Sequence, residues 1–326
     1  MDTEGNDAHA ADEGVRPATP GSYGRAPHGA RLPDATRLGA VRLQVGDLAR
    51  SLAFYEGALG MRVRSRGDGE AVLGGEGDES ALIALRERPG ATVRAGAPMP
   101  GGPARLGGPA PLGLYHVALL LPDRGALGSL VRHLAGHGVR LGAGDHLVSE
   151  AFYLADPDGL GLEVYADRPR EAWRRIGDEL MMATDPVDVD AVLAAAAERP
   201  WTGMPAGAAV GHVHLHVGDL ERAGRFYGDG LGFDRTVWSY PGALFLGAGG
   251  YHHHVGVNTW AGPRAAAPAE DAPRLLEWTI EVPGRRDVDA VASALAEQGF
   301  AASHVGADLL VADPWGTVVR VRPAAD

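Results

Sequence analysis

The chain has 326 residues, 45% of them apolar, which is enough for two ordinary domains with packed cores. Its net charge of −12 speaks against nucleic acid or an anionic membrane surface as a partner. There is no cysteine, and all 30 basic residues are arginine, so disulfides, thiolate chemistry and lysine Schiff bases are excluded together.

Residues 1–36 are rich in Gly, Ala, Pro and Asp without apolar periodicity, and read as a disordered leader. No basic stretch followed by an apolar one suggests export, and no run is long enough to span a bilayer, so the expected location is the cytoplasm. From there the chain repeats itself. Leu38–Asp47, Leu114–Asp123 and Val210–Asp219 share one pattern of alternating apolar residues ending in Asp, and Leu275–Pro283 is a weaker copy. Each reads as a strand, and each is followed by an amphipathic helix, expected at Ala49–Leu59, Gly125–His137, Glu221–Gly230 and Val288–Gln298. Two of these helices carry the same Phe-Tyr pair, Phe54-Tyr55 and Phe226-Tyr227, before a Leu-Gly. Further strand-like runs follow each helix, so the unit is β-α-β-β-β, present four times. Residues 37–170 hold modules one and two, 171–207 form a linker, and 208–326 hold modules three and four.

Alternation assigns faces. In module three Val213, Leu215 and Val217 oppose His212, His214 and His216; in module four Trp278, Ile280 and Val282 oppose Glu277, Thr279 and Glu281. The apolar faces should pack under the helices, and the polar faces should line a cavity inside a curved sheet. In module two a tight Asp156-Pro157-Asp158-Gly159 turn joins strand-like runs at Ala151–Ala155 and Leu160–Ala166.

Around that turn His146, Tyr153 and Glu163 stand at a spacing that resembles the signature of extradiol ring-cleaving dioxygenases of the vicinal oxygen chelate superfamily, which also holds the glyoxalases and bleomycin resistance proteins. Tyr115-His116, Leu121-Pro122-Asp123-Arg124, Tyr165-Ala166-Asp167-Arg168-Pro169, the Gly211–Val217 strand and Gly250-Tyr251-His252-His253-His254 are similar to the catechol 2,3-dioxygenase-like proteins of Gram-positive bacteria. The resemblance covers roughly residues 38–323 and implies an α+β fold of four βαβββ modules paired into two incomplete barrels.

In this superfamily metal ligands come from the first and last strands of a module. The first-strand slots are Ala40, His116, His212 and Glu277, and the last-strand slots are about Ile83, Glu163, Gly256 and Arg320. Pairing modules two and three gathers His116, Glu163 and His212, a set that suits Fe(II), with Mn(II) satisfying the same ligand rule. Modules one and four would then face Glu277 with Arg320 as an ion pair. The rival pairing, one with two and three with four, would build a site from His212, His254 and Glu277 and strand His116 and Glu163.

The resemblance further implies that His146 and Tyr153 sit around the substrate, and that a histidine from the neighbouring module handles a proton. Extending strand parity back from Gly256 points His254 and His252 into the cavity and His253 away, so His254 is the first expectation and His252 the second. The implied activity is cleavage of a small aromatic diol by O₂ to a 2-hydroxymuconic semialdehyde, by a protein that can assemble as a homo-oligomer. Two other readings stand beside it: a metal-dependent glyoxalase-type isomerase or lyase, and a non-catalytic small-molecule-binding protein of the same superfamily.

Overall fold

The computed structural model describes residues 14–77, 80–91 and 110–324. Each of the four repeats forms a strand, a helix and three further strands. The opening strands are Arg37–Val45, Gly113–Leu120, Ala209–His216 and Arg274–Val282.

The conserved-looking end of each repeat has a local cause. The Asp that closes the opening strand is also the N-cap of the helix that follows. Asp47, Asp123 and Asp219 accept hydrogen bonds from the backbone N–H of Arg50, Ala126 and Arg222. Module four lacks this Asp; there the Asp287 carboxylate accepts from the Gly284 N–H instead, and its helix begins at Arg285, three residues before the expected start at Val288. The helix of module three is α-helical only over Leu220–Ala223 and then widens, with Leu231 N–H reaching the Phe226 carbonyl. Glycines at 224, 228 and 230 weaken the ordinary helical preference there.

Two eight-stranded mixed sheets result. One joins modules two and three through antiparallel pairing of Gly113–Leu120 with Ala209–His216; the other joins modules one and four through Arg37–Val45 with Arg274–Val282. Of the two pairings that the sequence allowed, this is the one that gathers His116, Glu163 and His212. The apolar faces behave as alternation predicts: Val213, Leu215, Val217, Trp278, Ile280 and Val282 all lie in one contiguous buried core with residues of every helix.

The repeated Phe-Tyr pairs acquire a role. The Tyr55 hydroxyl, in module one, donates to Asp156 at the head of the module-two turn, 3.2 Å away. Tyr227, in module three, donates to Asp313 in the matching turn of module four, at 2.7 Å. Each bond therefore runs from one sheet to the other.

In the module one and four sheet the corresponding positions are taken up by ion pairs. Arg320 spans Glu277 with two hydrogen bonds of 2.7 and 3.0 Å and also holds Asp308. Glu281 is held between Arg37 and Arg322. The Glu277–Arg320 pairing expected from the slots is thus present, and this side offers no free carboxylate to a metal at those positions.

Residues 15–36, expected to be a disordered leader, are placed instead; residues 1–13 lie outside the described residues. Val15–Pro17 pairs with Arg174–Ile176, and Arg31 makes a two-pronged ion pair with Asp234. The segment has no period of its own because it borrows its order: Ala18, Tyr23 and Trp173 share a small core with Val237 and Phe245. The 171–207 linker is likewise structured, with strands Arg174–Ile176 and Glu179–Leu180 and a helix at Val189–Ala195. Among the described residues no helix is long and apolar enough to cross a membrane.

Candidate active site

Strand register alone brings the triad together. His212 lies opposite Ala118, and Ala118 lies opposite Glu163, so the three occupy one row across three strands. The Ala118 methyl is small enough for the flanking side chains to meet above it. His116 enters from two residues earlier on the same face. The His212 Nε2 atom is 3.3 Å from Glu163 Oε2, and His116 Nε2 is 3.0 Å from the same oxygen. One ligand atom from each of the three residues lies within 4.8 Å of the others, all fully buried.

The polar atoms here are under-used. Both ring nitrogens of His116, Glu163 Oε1 and His212 Nδ1 are buried without a hydrogen-bond partner, and the His116–Glu163 approach lacks hydrogen-bond alignment. Buried polar groups are ordinarily satisfied. Two imidazoles and a carboxylate converging with spare lone pairs fit a divalent cation with open coordination positions. The charge states agree. Burial pushes the Glu163 carboxyl up, but the two histidines beside it outweigh burial and hold it well below the usual carboxylate range. Burial lowers both His116 and His212, which favours the neutral, ligating imidazole. Gly256 occupies the last-strand slot of module three; a Cβ there would come within 3.1 Å of the His214 ring, so no fourth ligand can extend from it.

The triad opens on a cavity of about 270 Å³. Tyr153 is paired directly opposite Glu163 across the sheet. Its hydroxyl lies 2.5 Å from His146 Nε2, and His146 Nδ1 lies 2.7 Å from the Ala183 carbonyl. A carbonyl only accepts, so Nδ1 carries the proton and Nε2 accepts from the Tyr153 hydroxyl. Burial holds the Tyr153 phenol well above its ordinary range, so it stays protonated.

The three-histidine tract departs from expectation. His253, not His254 or His252, lines the cavity, its ring centre 4.1 Å from that of His212. His254 accepts a bond from the Ala248 N–H and rests against Phe233 and Tyr251; His252 faces Asp167, 3.0 Å away. Parity fails because it holds only along extended backbone. The strand begins at Val255, and residues 251–254 follow two glycines at positive φ, Gly249 and Gly250, that turn the chain. His214 also lines the cavity, with its Nε2 buried and unpartnered.

Sequence reasoning missed several wall residues. Met182, Ala183 and Thr184 come from the linker, Tyr240 from a loop, and Trp260 from just past the last strand of module three. Thr184 Oγ1 is 2.9 Å from the Tyr240 hydroxyl. The Asp145–Asp185 backbone bridge fixes the linker over His146. The only available signal was the length of a linker far longer than most connections.

Burial of so much imidazole makes the protein acid-labile. His254 is pushed down to about 3 and His216 to about 4, and His116, His212, His214 and His253 are lowered too, all chiefly by burial. Between pH 6.5 and 4 the unfolded chain takes up protons that the folded chain refuses, so stability is complete above pH 6.5 and falls with pH through that window. Asp156, raised to about 7 by burial, opposes this, as does the raised Asp313, but they are fewer. Urea unfolding of the metal-free protein at pH 7.5, 6, 5 and 4 should show midpoints that drop at each step, by up to about 1.4 kcal/mol per pH unit for each fully neutral histidine. A midpoint that is level down to pH 4 would contradict the buried, neutral state of these rings.

Comparison with known proteins bears on the family and the fold. A family model described as the Glyoxalase/Bleomycin resistance protein/Dioxygenase superfamily matches residues 37–164. A catechol-2,3-dioxygenase of Bacillus subtilis (strain 168) is 41% identical over 282 residues, covering 86% of this chain and 94% of that one. A solved structure from Bacillus subtilis subsp. subtilis str. 168 superposes with a TM-score of 0.62 at 14% identity, over 91% of this chain and 87% of that one. Glyoxalase I from Zea mays superposes with a TM-score of 0.51 at 19% identity, over 88% and 92%. At these identities the two structures speak to the fold alone.

Proposed function

The chain belongs to the glyoxalase/bleomycin resistance protein/dioxygenase superfamily, and from that premise we propose that it is an extradiol dioxygenase, opening catechol or a substituted catechol with O₂. The observation that carries the reading is the buried His116–Glu163–His212 triad, facing a cavity that also holds the Tyr153–His146 pair. The three residues would hold Fe(II), with Mn(II) meeting the same ligand rule. A metal held there would bind the diol and dioxygen together and pass electron density between them. Both oxygen atoms enter the product, a 2-hydroxymuconic semialdehyde.

The protein's own groups do the rest. Glu163 and the two histidines present neutral-or-anionic donors at one point and bring a single negative charge. Tyr153 is protonated; its one O–H, aimed at His146 Nε2 in the free site, would turn to the catecholic oxygen in a hydrogen bond that strengthens as charge builds on it. His253 and His214 line the cavity; burial lowers both well below the ordinary imidazole range, so each is neutral, can accept a hydrogen bond from the diol and would pass its proton on instead of holding it. Aromatic walls exclude water from the reacting ring. Glyoxalase-type relatives usually hold their metal with four protein ligands, and Gly256 supplies no fourth here, which favours the dioxygenase reading.

The test is reconstitution with Fe(II) without air, then exposure to catechol and oxygen. Yellow ring-opened product with one O₂ consumed per catechol is expected. Tight metal binding with no oxygen uptake across a catechol panel would move the assignment to a non-oxidative chemistry.

A further inference from the structure

Beyond the triad, one part of the cavity wall is a cluster of aromatic side chains. Tyr240 lies with its ring centre 5.6 Å from Phe245 and 6.3 Å from Trp260; Trp260 in turn lies 5.6 Å from His214 and 5.8 Å from Tyr115. Two of these rings are pinned at the mouth: Trp260 Nε1 donates to the Pro241 carbonyl at 3.0 Å, and Tyr240 bonds Thr184 from the linker. Trp260 is 46% exposed, so it stands at the entrance. A cavity of about 270 Å³ has the volume of roughly nine waters at ~30 Å³ each, close to the heavy-atom count of catechol, and it opens at Trp260, where a ring substituent can extend.

Charge gives the second half of the argument. The sequence has no lysine, and no arginine is among the described residues that line the cavity. The nearby Arg168 is already committed to Asp145 and Glu150. Glu163, the one carboxylate among the described wall residues, offers no positive charge either. A carboxylate on the substrate ring would leave water and meet no arginine or lysine among the described wall residues, which is costly.

Resting on the dioxygenase reading, we propose that this site selects catechols whose ring substituent is uncharged and apolar, an aryl group included, and rejects carboxylated catechols. Tyr240 and Trp260 are the specificity-determining side chains. Together they form the aromatic wall against which a substituent lies, while the diol end faces the triad.

The experiment is a panel of catechol, 4-methylcatechol, 3- and 4-phenylcatechol and 3,4-dihydroxybenzoate, read in two ways. With oxygen, kcat/KM for the dihydroxybenzoate should be at least about 100-fold below that for 4-methylcatechol. Without oxygen, calorimetric titration of the Fe(II)-loaded protein should give the same order of Kd. Tyr240→Ala and Trp260→Ala should each lower the phenylcatechol-to-catechol ratio of kcat/KM about tenfold. Met182→Arg, which places a cation at the wall, should narrow the discrimination against the carboxylate at least about tenfold. The proposal is overturned if the carboxylated and methylated diols bind and react within threefold of each other, or if neither alanine variant moves the ratio. Binding in the expected order with no ring cleavage of any diol would instead sustain the selectivity and remove the dioxygenase reading, so the two fail separately.

Discussion

Glu163→Gln protein, offered Fe(II) without air and then desalted, will retain almost no metal, and its turnover will fall about a thousandfold or more, equivalent to about 4 kcal/mol of transition-state stabilisation. The substitution changes one oxygen for an amide and leaves the volume alone. It removes the single anionic donor from a set whose other two members are neutral imidazoles, and an amide is a poor ligand for a hard divalent cation. The fold should survive. Without metal, the two histidines beside it still favour the ionised Glu163, so losing that charge will lower the melting temperature of the metal-free protein while its unfolding stays cooperative. Metal content by elemental analysis, turnover, and a thermal melt of the metal-free form decide the matter together. A variant that keeps its metal while losing activity would show that the cation sits elsewhere.

Tyr153→Phe will behave differently. The expected result is a fall in kcat of about 100- to 1000-fold with metal content intact, the cost usual for removing one preorganised donor to a developing charge. The Tyr153 ring packs with Ala118, Ala151 and Tyr165, so Phe keeps the contacts. What goes is the hydroxyl and its bond to His146 Nε2. KM for catechol should move far less than kcat, since an interaction that strengthens in the transition state shows in kcat. Equal losses in metal content and kcat would mean that Tyr153 supports the triad's geometry rather than the substrate. Unchanged kcat would remove it from the reaction.

The fold was legible because repetition and strand alternation are both local signals. Val213, Leu215 and Val217 had to face the core once His212, His214 and His216 faced the other way. The triad was legible for the same reason: each member lies inside a regular strand, where counting residues fixes direction. His253 was not legible, because the count from Gly256 crosses into a turn at Val255 where the period of two has no meaning. Residues 15–36 and 180–185 escaped for a different cause. Their order comes from partners more than a hundred residues or a whole module away, such as Asp234 for Arg31 and Tyr240 for Thr184, and composition carries no trace of a partner.

The pairing of module one with four and of two with three sets the order in which this protein can be completed. When the first half leaves the ribosome, Arg37–Val45 and Gly113–Leu120 each present an open edge, and the strands that cover them, Arg274–Val282 and Ala209–His216, have yet to be made. Open edges are where chains join wrongly. The module two and three sheet can close first, after residue 258, while Arg37–Val45 must wait for the last fifth of the chain. Nascent protein therefore carries an uncapped edge through most of its synthesis, and its yield in a cell will depend on what shields that edge until the carboxy-terminal module arrives.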